Sequence, residues 1–208
     1  YGAILNPGCR FFDMRIGQSV TLTGRCITQH MASKVNEVVT GEYDHKGKSI
    51  VYGDTDSVYF SAFKTLQKEI KEGVIPWTKD SVVALYDKIA DEVNSSFKSF
   101  MTKAFHTPST RGEVIAAGRE LVASKGLFIT KKRYAVLYYD KEGKRADVEG
   151  KDGKMKAMGL DLKRSDTPVF VQDFLSEVLY MVLQGKDEKI VLDRISEFRA
   201  EFKAMPGW

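Results

Sequence analysis

The chain has 208 residues, of which 43% are hydrophobic, so it is long enough to bury a core and too apolar for a disordered tail. No apolar run approaches the length of a membrane span, and we therefore expect no membrane partner. The two cysteines, Cys9 and Cys26, lie outside any metal-binding spacing and indicate a reducing compartment.

The charge of the chain is unevenly distributed. The formal net charge is only +4, but basic residues cluster in the second half, at 131–133, 141–145, 151–156 and 163–164. Clustered Lys and Arg are typical of surfaces that bind polyanions. The second half is therefore predicted to meet one.

The first half predicts two long helices separated by a hairpin. Residues 13–39 carry apolar side chains near helical spacing, with Asp13 as N-cap and Gly41 as the stop. Runs rich in Val, Ile, Tyr and Phe at 49–52 and 58–62 predict two strands. Residues 79–105 then predict a second helix, whose broad apolar stripe indicates a core face.

The second half predicts short strands followed by helices. The predicted strands are 114–117, 121–123, 127–130, 134–139 and 155–158. Thr167 as N-cap and Pro168 at the first helical position predict a helix that ends at Gly185, and another is predicted over 187–203. The predicted fold class is α+β, an antiparallel sheet with long helices packed on one face and a short helical segment after it.

The turn between the first two strands carries a pair of carboxylates. Gly-Asp-Thr-Asp at 53–56 places Asp54 and Asp56 one residue apart at the tip. Two like charges this close repel each other unless a cation neutralises them. Hard oxygen ligands suit Mg²⁺, which keeps several waters and links carboxylates to substrate phosphates.

Three other interpretations of this turn are open. Asp and Gly are common in turns for backbone reasons alone. A phosphatase-like Asp-x-Asp expects a helix soon afterwards, whereas Val58, Phe60 and Ala62 continue as a strand. A calcium loop would need a Glu about nine residues beyond Asp56, where the chain has Thr65.

Three segments together resemble family B DNA polymerases. Tyr-Gly-Asp-Thr-Asp-Ser at 52–57 resembles the catalytic hairpin of that family. Lys-Lys-Arg-Tyr-Ala at 131–135 resembles the basic strand motif that grips the primer–template duplex, and Tyr1-Gly2 resembles the end of the fingers helix motif. The resemblance covers nearly the whole chain.

Further segments resemble the replicative polymerases of T-even-type bacteriophages. They are Arg-Glu-Leu-Val-Ala-Ser-Lys-Gly at 119–126, Met-Gly-Leu at 158–160 and Ser-Asp-Thr-Pro at 165–168. The order of these segments is that of the family. The resemblance therefore runs from the end of the fingers, through the palm, into the base of the thumb.

The resemblance implies template-directed nucleotidyl transfer from a dNTP to a primer 3′-OH with two Mg²⁺ ions. Asp56 would be the bridging metal ligand and Asp54 a supporting carboxylate. Glu120 would be a further acidic residue near the metals, with Glu113 as the alternative if the local alignment shifts. Thr55 and Tyr1 would lie near the nucleotide.

The resemblance also implies which residues contact the primer–template. If 131–134 form a strand, the side chains of Lys132 and Tyr134 share one face, and Lys131 lies on the other. A polymerase must accept any sequence, which favours phosphate and minor-groove contacts. The expected DNA-binding residues are Lys131, Lys132, Tyr134, Lys163 and Arg164.

The expected domains are the palm over 1–160, starting at the end of the fingers motif, and the beginning of a helical thumb over 161–208. In this family a further catalytic Asp, the fingers Lys and the exonuclease domain lie upstream of such a segment. We therefore expect a fragment that is inactive alone and that works with the rest of the polymerase chain or a complementary fragment.

Other expected partners are primer–template DNA, dNTP and a sliding clamp, in the cytoplasm of a host cell. A non-catalytic DNA-binding module that retains the palm fold is the alternative. Such a module would bind duplex DNA with a steep salt dependence but would take up no metal at the hairpin.

Overall fold

A computed structural model describes residues 2–148 and 150–205 of the chain. The chain divides into two compact units, Tyr1–Gly118 and Arg119–Trp208. Helices and antiparallel strands occur in both units, which confirms the predicted α+β class.

The first unit consists of helices around one two-stranded hairpin. Its helices are α1 (Met14–Thr40), α2 (Gln67–Lys71), α3 (Lys79–Phe105) and α4 (Ser109–Gly112), with a 3-10 turn at Gly2–Leu5. Its strands are β1 (Ile50–Asp54) and β2 (Ser57–Phe60), which pair with each other in antiparallel fashion. The two long helices and the hairpin agree with the prediction.

The ends of the long helices follow from their capping residues. The Asp13 carboxylate accepts the backbone N–H of Arg15, and Gly41 ends α1 in the left-handed region. Thr78 and Ser81 form a capping box at the start of α3. Burial of the apolar faces of α1 and α3 then forms the core.

That core lies between the two long helices and the hairpin. Its fully buried members are Val35 on α1 and Ile89, Val93 and Phe97 on α3. Partly buried residues of the hairpin, Ile50 and Phe60, pack against it. The hairpin thus rests with its apolar side chains on the helix pair.

The second unit is a four-stranded antiparallel sheet followed by two helices. Its elements are β3 (Leu121–Thr130), β4 (Arg133–Lys141), β5 (Lys144–Arg145), β6 (Lys154–Met158), a 3-10 turn (Asp161–Lys163), α5 (Val169–Gln184) and α6 (Glu188–Ala204). Strand β4 pairs with β3, β5 and β6. The strands therefore form two separate sheets, because β1 and β2 pair only with each other among the described residues.

The core of the second unit joins the sheet to α5. Ala135 and Leu137 of β4 pack with Leu160, Leu162 and Leu183. The predicted boundary between palm and thumb, at 160/161, stays a prediction. In the structure Leu160 and Leu162, on either side of it, share this core.

Two local predictions are wrong. Residues 114–117 form no strand, because Ile115 and Ala117 pack irregularly against the core of the first unit and Ala117 is held by the Asn94 side chain. Helix α5 begins at Val169 with Pro168, not Thr167, as N-cap. The Thr167 hydroxyl instead donates to the carbonyl oxygen of Asp161, at 3.2 Å.

No helix in the described part of the chain combines the length and the apolar character required to cross a bilayer.

Candidate functional site

The carboxylate hairpin, β1–β2 with its turn, reverses direction over only two residues. Asp54 pairs with Ser57, so Thr55 and Asp56 alone form the turn. Thr55 has φ 47°, in the left-handed region that a β-branched residue rarely adopts. The turn is shorter than the predicted Gly-Asp-Thr-Asp, because Gly53 and Asp54 belong to β1.

The two carboxylates of the turn have different surroundings. Asp54 accepts hydrogen bonds from the Tyr52 hydroxyl at 3.3 Å and from the Thr55 hydroxyl at 3.1 Å. Asp56 is exposed, and its side chain forms no hydrogen bond or ion pair within residues 2–148 and 150–205. Asp54 is therefore oriented by its own hairpin, whereas the oxygens of Asp56 are available to a ligand.

Helix α1 holds the hairpin at its base and at its tip. At the base, Asn36 Oδ1 accepts the backbone N–H of Ser49 at 3.2 Å and the Ser49 hydroxyl at 2.7 Å, and all of Asn36 is buried. At the tip, the Thr28 hydroxyl donates to the carbonyl oxygen of Thr55 at 2.7 Å. These contacts fix the position of the hairpin, and thus of its two carboxylates, relative to α1.

Two carboxylates suit part of a magnesium site. The described residues contain no group of three or more His, Cys, Asp or Glu side chains placed to hold a metal ion. Mg²⁺ is commonly bound by one or two protein carboxylates together with waters and substrate phosphates. Asp54 and Asp56 fit that role, and further ligands would have to come from elsewhere.

The two candidate glutamates lie in different units. Glu113, in the same unit as the carboxylate hairpin, forms an ion pair with Lys98, whose hydrogen bond lowers the pKa of the Glu113 carboxyl. Glu120, in the second unit, accepts from Lys156 Nζ at 2.7 Å. Both carboxylates therefore already have a cationic partner.

The basic hairpin, β3–β4 with its turn, differs from the prediction. Thr130 pairs with Arg133, so Lys131 and Lys132 form a two-residue turn instead of a strand, and Lys132 has φ 63°. The predicted alternation, with Lys132 and Tyr134 on one strand face, is therefore wrong. Both lysines lie at the exposed tip, where their ammonium groups have the reach to meet phosphates.

Tyr134 belongs to the sheet itself. Only 6% of its surface is exposed, and its ring stacks on Phe128 with 5.5 Å between centroids. Its backbone pairs with Phe128 of β3 and Met158 of β6. Tyr134 is thus firmly placed two residues after the lysine turn, with its ring packed rather than projecting.

The remaining predicted DNA contacts are only partly described. Arg164 is bound to Asp166 through two hydrogen bonds of 2.9 and 2.6 Å, which raise the pKa of the Arg164 guanidinium. Lys163 lies in a 3-10 turn, but its side chain is outside the described residues, as is all of Tyr1. The role of Tyr1 near the nucleotide stays a prediction.

Sequence reasoning missed the polar residues that support the two hairpins. Asn36 lies on the apolar stripe of α1, and a polar residue at such a position is the one signal that could have revealed it. Thr28 carries no such signal, since threonine is ordinary on a helix surface. In the second unit, Arg119 binds the nearly buried Asp140 at 2.5 Å and ties the start of β3 to the end of β4.

Comparison with known proteins connects this geometry to a family. A family model described as "DNA polymerase family B" matches residues 1–205, nearly the whole chain. The chain belongs to DNA polymerase family B. The predicted resemblance to this family is thereby confirmed.

Individual relatives point to the same family. The chain is similar to the DNA-directed DNA polymerase of Escherichia phage RB69, at 34% identity over 88% of the chain and 21% of the relative. The enzyme of Enterobacteria phage T4 is 29% identical over 99% of the chain and 23% of the relative. The DNA polymerase delta catalytic subunit of Oryza sativa subsp. japonica is 27% identical over 84% and 13%.

The phage matches confirm the predicted resemblance to T-even-type polymerases. This family B chain spans about a fifth of the length of these phage relatives.

Proposed function

We propose that the chain forms the palm and the beginning of the thumb of a DNA-directed DNA polymerase. The observation that carries the proposal is the carboxylate turn, where Asp54 and the Thr55 carbonyl are held and Asp56 is left open. An exposed carboxylate on a fixed turn is suited to bind a metal ion together with a substrate phosphate.

In this proposal, Asp56 and Asp54 would hold Mg²⁺, and Thr55 would contact the nucleotide. Two Mg²⁺ ions, when bound, stabilise the attacking 3′ oxygen and the leaving pyrophosphate. The contribution of the chain is to keep two carboxylates one residue apart, with one oriented by Tyr52 and the other facing solvent.

The proposed third carboxylate is Glu120 or Glu113, and their neighbours differ. Glu113 shares a compact unit with the carboxylate hairpin, whereas Glu120 is bound to Lys156. Glu113→Gln and Glu120→Gln separate the two in a primer-extension assay of the chain combined with a second polypeptide that carries the upstream family motifs. The variant that raises the Mg²⁺ concentration needed for half-maximal rate identifies the residue that acts on the metal site.

The proposed duplex contact is the basic hairpin. Its tip places Lys131 and Lys132 side by side, with Tyr134 in the adjoining strand and Arg164 as a further candidate beside Lys163. Each lysine that contacts a phosphate releases counterions when DNA binds. Its removal should therefore make the negative slope of log K against log salt shallower by about 1. Fluorescence anisotropy with a labelled primer–template measures this slope.

Lys131→Ala and Lys132→Ala are the test variants, and Lys68→Ala on α2 is the matched control with an exposed lysine in the other unit. An unchanged slope in both test variants would contradict the assignment.

Activity is tested by adding the parts that the carboxylate turn lacks. With only two metal-binding carboxylates at the turn, we expect the 208-residue polypeptide alone to extend no primer with Mg²⁺ and four dNTPs. A second polypeptide that carries the upstream family motifs should restore templated synthesis, and Asp56→Ala should abolish it. Synthesis that survives Asp56→Ala in the restored enzyme would contradict the proposal.

The absence of a larger acidic cluster in the described residues favours one alternative, a non-catalytic DNA-binding module. Both proposals predict salt-dependent DNA binding. Only the polymerase proposal predicts that Asp56→Asn weakens Mn²⁺ binding, measured by electron paramagnetic resonance. A sliding clamp as partner and a location in the host cytoplasm stay predictions.

A further inference from the structure

We infer that Thr28 of helix α1 is a positioning residue for the metal-binding turn, an inference that rests on the proposed function. Thr28 reaches the turn through the carbonyl oxygen of Thr55, the residue between Asp54 and Asp56. It forms no hydrogen bond with either carboxylate. Its role would be to fix the peptide from which both carboxylates project.

The hydrogen bond from Thr28 favours the turn over its own helix. The Thr28 hydroxyl lies 2.7 Å from the Thr55 carbonyl oxygen and 3.1 Å from the Gly24 carbonyl oxygen one helical turn earlier. A threonine in a helix usually donates to that earlier carbonyl. Here the shorter bond goes to the hairpin.

Thr28 is the sole residue outside the hairpin, within the described ranges, that forms a hydrogen bond with Asp54, Thr55, Asp56 or Ser57. The other bonds of the turn are internal: Tyr52 and Thr55 donate to Asp54, and Ser57 donates to the Asp54 carbonyl oxygen at 3.2 Å. Internal bonds fix the shape of the turn, but they do not fix its direction relative to α1.

The turn needs such an external contact because its backbone is strained. A β-branched residue with a positive φ, such as Thr55 at 47°, persists only where its surroundings enforce the conformation. Loss of the Thr28 bond would let the Thr55 peptide rotate. The carboxylates of Asp54 and Asp56 would then sample several directions, which lowers the affinity for a metal ion that needs both.

The test compares three substitutions in the 208-residue chain. Thr28→Val keeps the shape and removes the hydroxyl, and Thr28→Ser keeps the hydroxyl. Thr21→Val is the matched control, because Thr21 also donates to α1 carbonyl oxygens, at 2.9 and 3.3 Å, but forms no hydrogen bond with the hairpin. The readouts are Mn²⁺ affinity by electron paramagnetic resonance and hydrogen exchange of the Asp56 and Ser57 amides.

Loss of one hydrogen bond should weaken Mn²⁺ binding roughly 3- to 10-fold in Thr28→Val and speed amide exchange at the tip by a similar factor. Thr28→Ser should stay within about 2-fold of the unchanged chain, and Thr21→Val should match it, since both keep the bond to Thr55. Equal effects of Thr28→Val and Thr28→Ser, or no effect of either, would overturn the inference.

Asp56→Asn separates this inference from the proposed function. Mn²⁺ binding that is insensitive to Asp56→Asn overturns the proposed metal role, and tip exchange then still decides whether Thr28 positions the turn. If Asp56→Asn weakens Mn²⁺ binding but Thr28→Val changes neither readout, the positioning role alone is wrong. Urea unfolding of Thr28→Val, compared with Thr21→Val, checks that the first unit remains folded.

Discussion

The carboxylate hairpin and the basic hairpin have the same kind of tight turn, but different contacts hold the two turns in place. Each reverses over two residues, and each places a non-glycine residue in the left-handed region, Thr55 at φ 47° and Lys132 at φ 63°. The basic hairpin belongs to a four-stranded sheet whose central strand, β4, is paired on both edges. The carboxylate hairpin has only two strands.

The difference lies in what fixes each tip. A backbone ladder over ten-residue and nine-residue strands carries the lysine turn. The carboxylate turn depends on a few side chains of α1, above all Asn36 and Thr28. Substitutions that remove a polar side chain should therefore disturb the carboxylate turn most. Substitutions that distort the backbone should disturb the lysine turn most.

The largest effect is expected from Asn36→Ala. This change removes a fully buried amide that bonds Ser49 and donates to the Glu42 carbonyl oxygen at 2.7 Å. Buried groups left without partners should lower the free energy of unfolding by about 3 kcal/mol. Urea unfolding measures the loss.

Asn94→Ala provides the control for that result. Asn94 also bonds a backbone N–H and carbonyl, those of Ala117, but it is only half-buried, so water can replace it at a cost of about 1 kcal/mol. Equal losses in the two variants would show that burial does not set the strength of the Asn36 contact.

The next effect is expected from Gly159→Ala, which tests the backbone support of the basic tip. Gly159 has φ 64°, and a Cβ there would overlap the carbonyl oxygen of Lys132. We expect a loss of roughly 2–3 kcal/mol in unfolding free energy.

Gly143→Ala is the matched control, since Gly143 has φ 78° but open space around it, and it should cost only about 1 kcal/mol. If Gly159→Ala is no worse than this control, the close approach to Lys132 does not support the turn.

A smaller effect is expected from pH, and only in the first unit. Burial lowers the pKa of His30, whose ring nitrogens lie 2.7 Å from the Tyr43 hydroxyl and 2.9 Å from the Ser96 hydroxyl. Lys34 lowers this pKa further, and Glu37 opposes it. The folded state therefore favours the neutral ring.

This preference makes the first unit less stable at low pH. The stabilisation is complete above the unfolded pKa of about 6.5 and is lost as the pH falls from there through the lower folded pKa. Residues 119–208 contain no histidine. Hydrogen exchange should therefore show less protection in the first unit at pH 5 than at pH 7. His30→Gln should remove this difference, and the β3–β4 ladder should not show it.

The smallest effect on stability is expected from Lys132→Gly. Glycine adopts positive φ without strain, so this change should raise the free energy of unfolding by about 0.5–1 kcal/mol. It should at the same time weaken primer–template binding, because a cation is lost from the tip. A variant that gained stability and kept its DNA affinity would exclude Lys132 from the duplex contact.

The long helices were predictable because their signals are local. Asp13 and Gly41 mark the ends of α1 through hydrogen bonds and backbone angles within a few residues, and the structure has those ends. The pair of carboxylates on a hairpin was predictable for the same reason.

The wrong predictions concern segments whose local structure is set by residues far away in the sequence. An apolar run at 114–117 satisfies strand propensity, yet its backbone is bonded by Asn94, more than twenty residues earlier. Lys131 and Lys132 look like strand residues, but pairing of Thr130 with Arg133 makes them a turn. The Thr28–Thr55 bond spans 27 residues and leaves no local trace.

The two-residue length of the carboxylate turn has a consequence for genetic change. One codon inserted between Thr55 and Asp56 would place an extra residue between the two carboxylates. It would either lengthen the turn to three residues or shift Ser57 against Asp54, and a one-residue slip turns every side chain of a strand to the opposite face. One codon inserted between Gly150 and Lys151, two exposed residues outside any helix or strand, would only lengthen a connection. The acidic tip is therefore constrained in length, in addition to the constraint that its two proposed metal ligands place on its sequence.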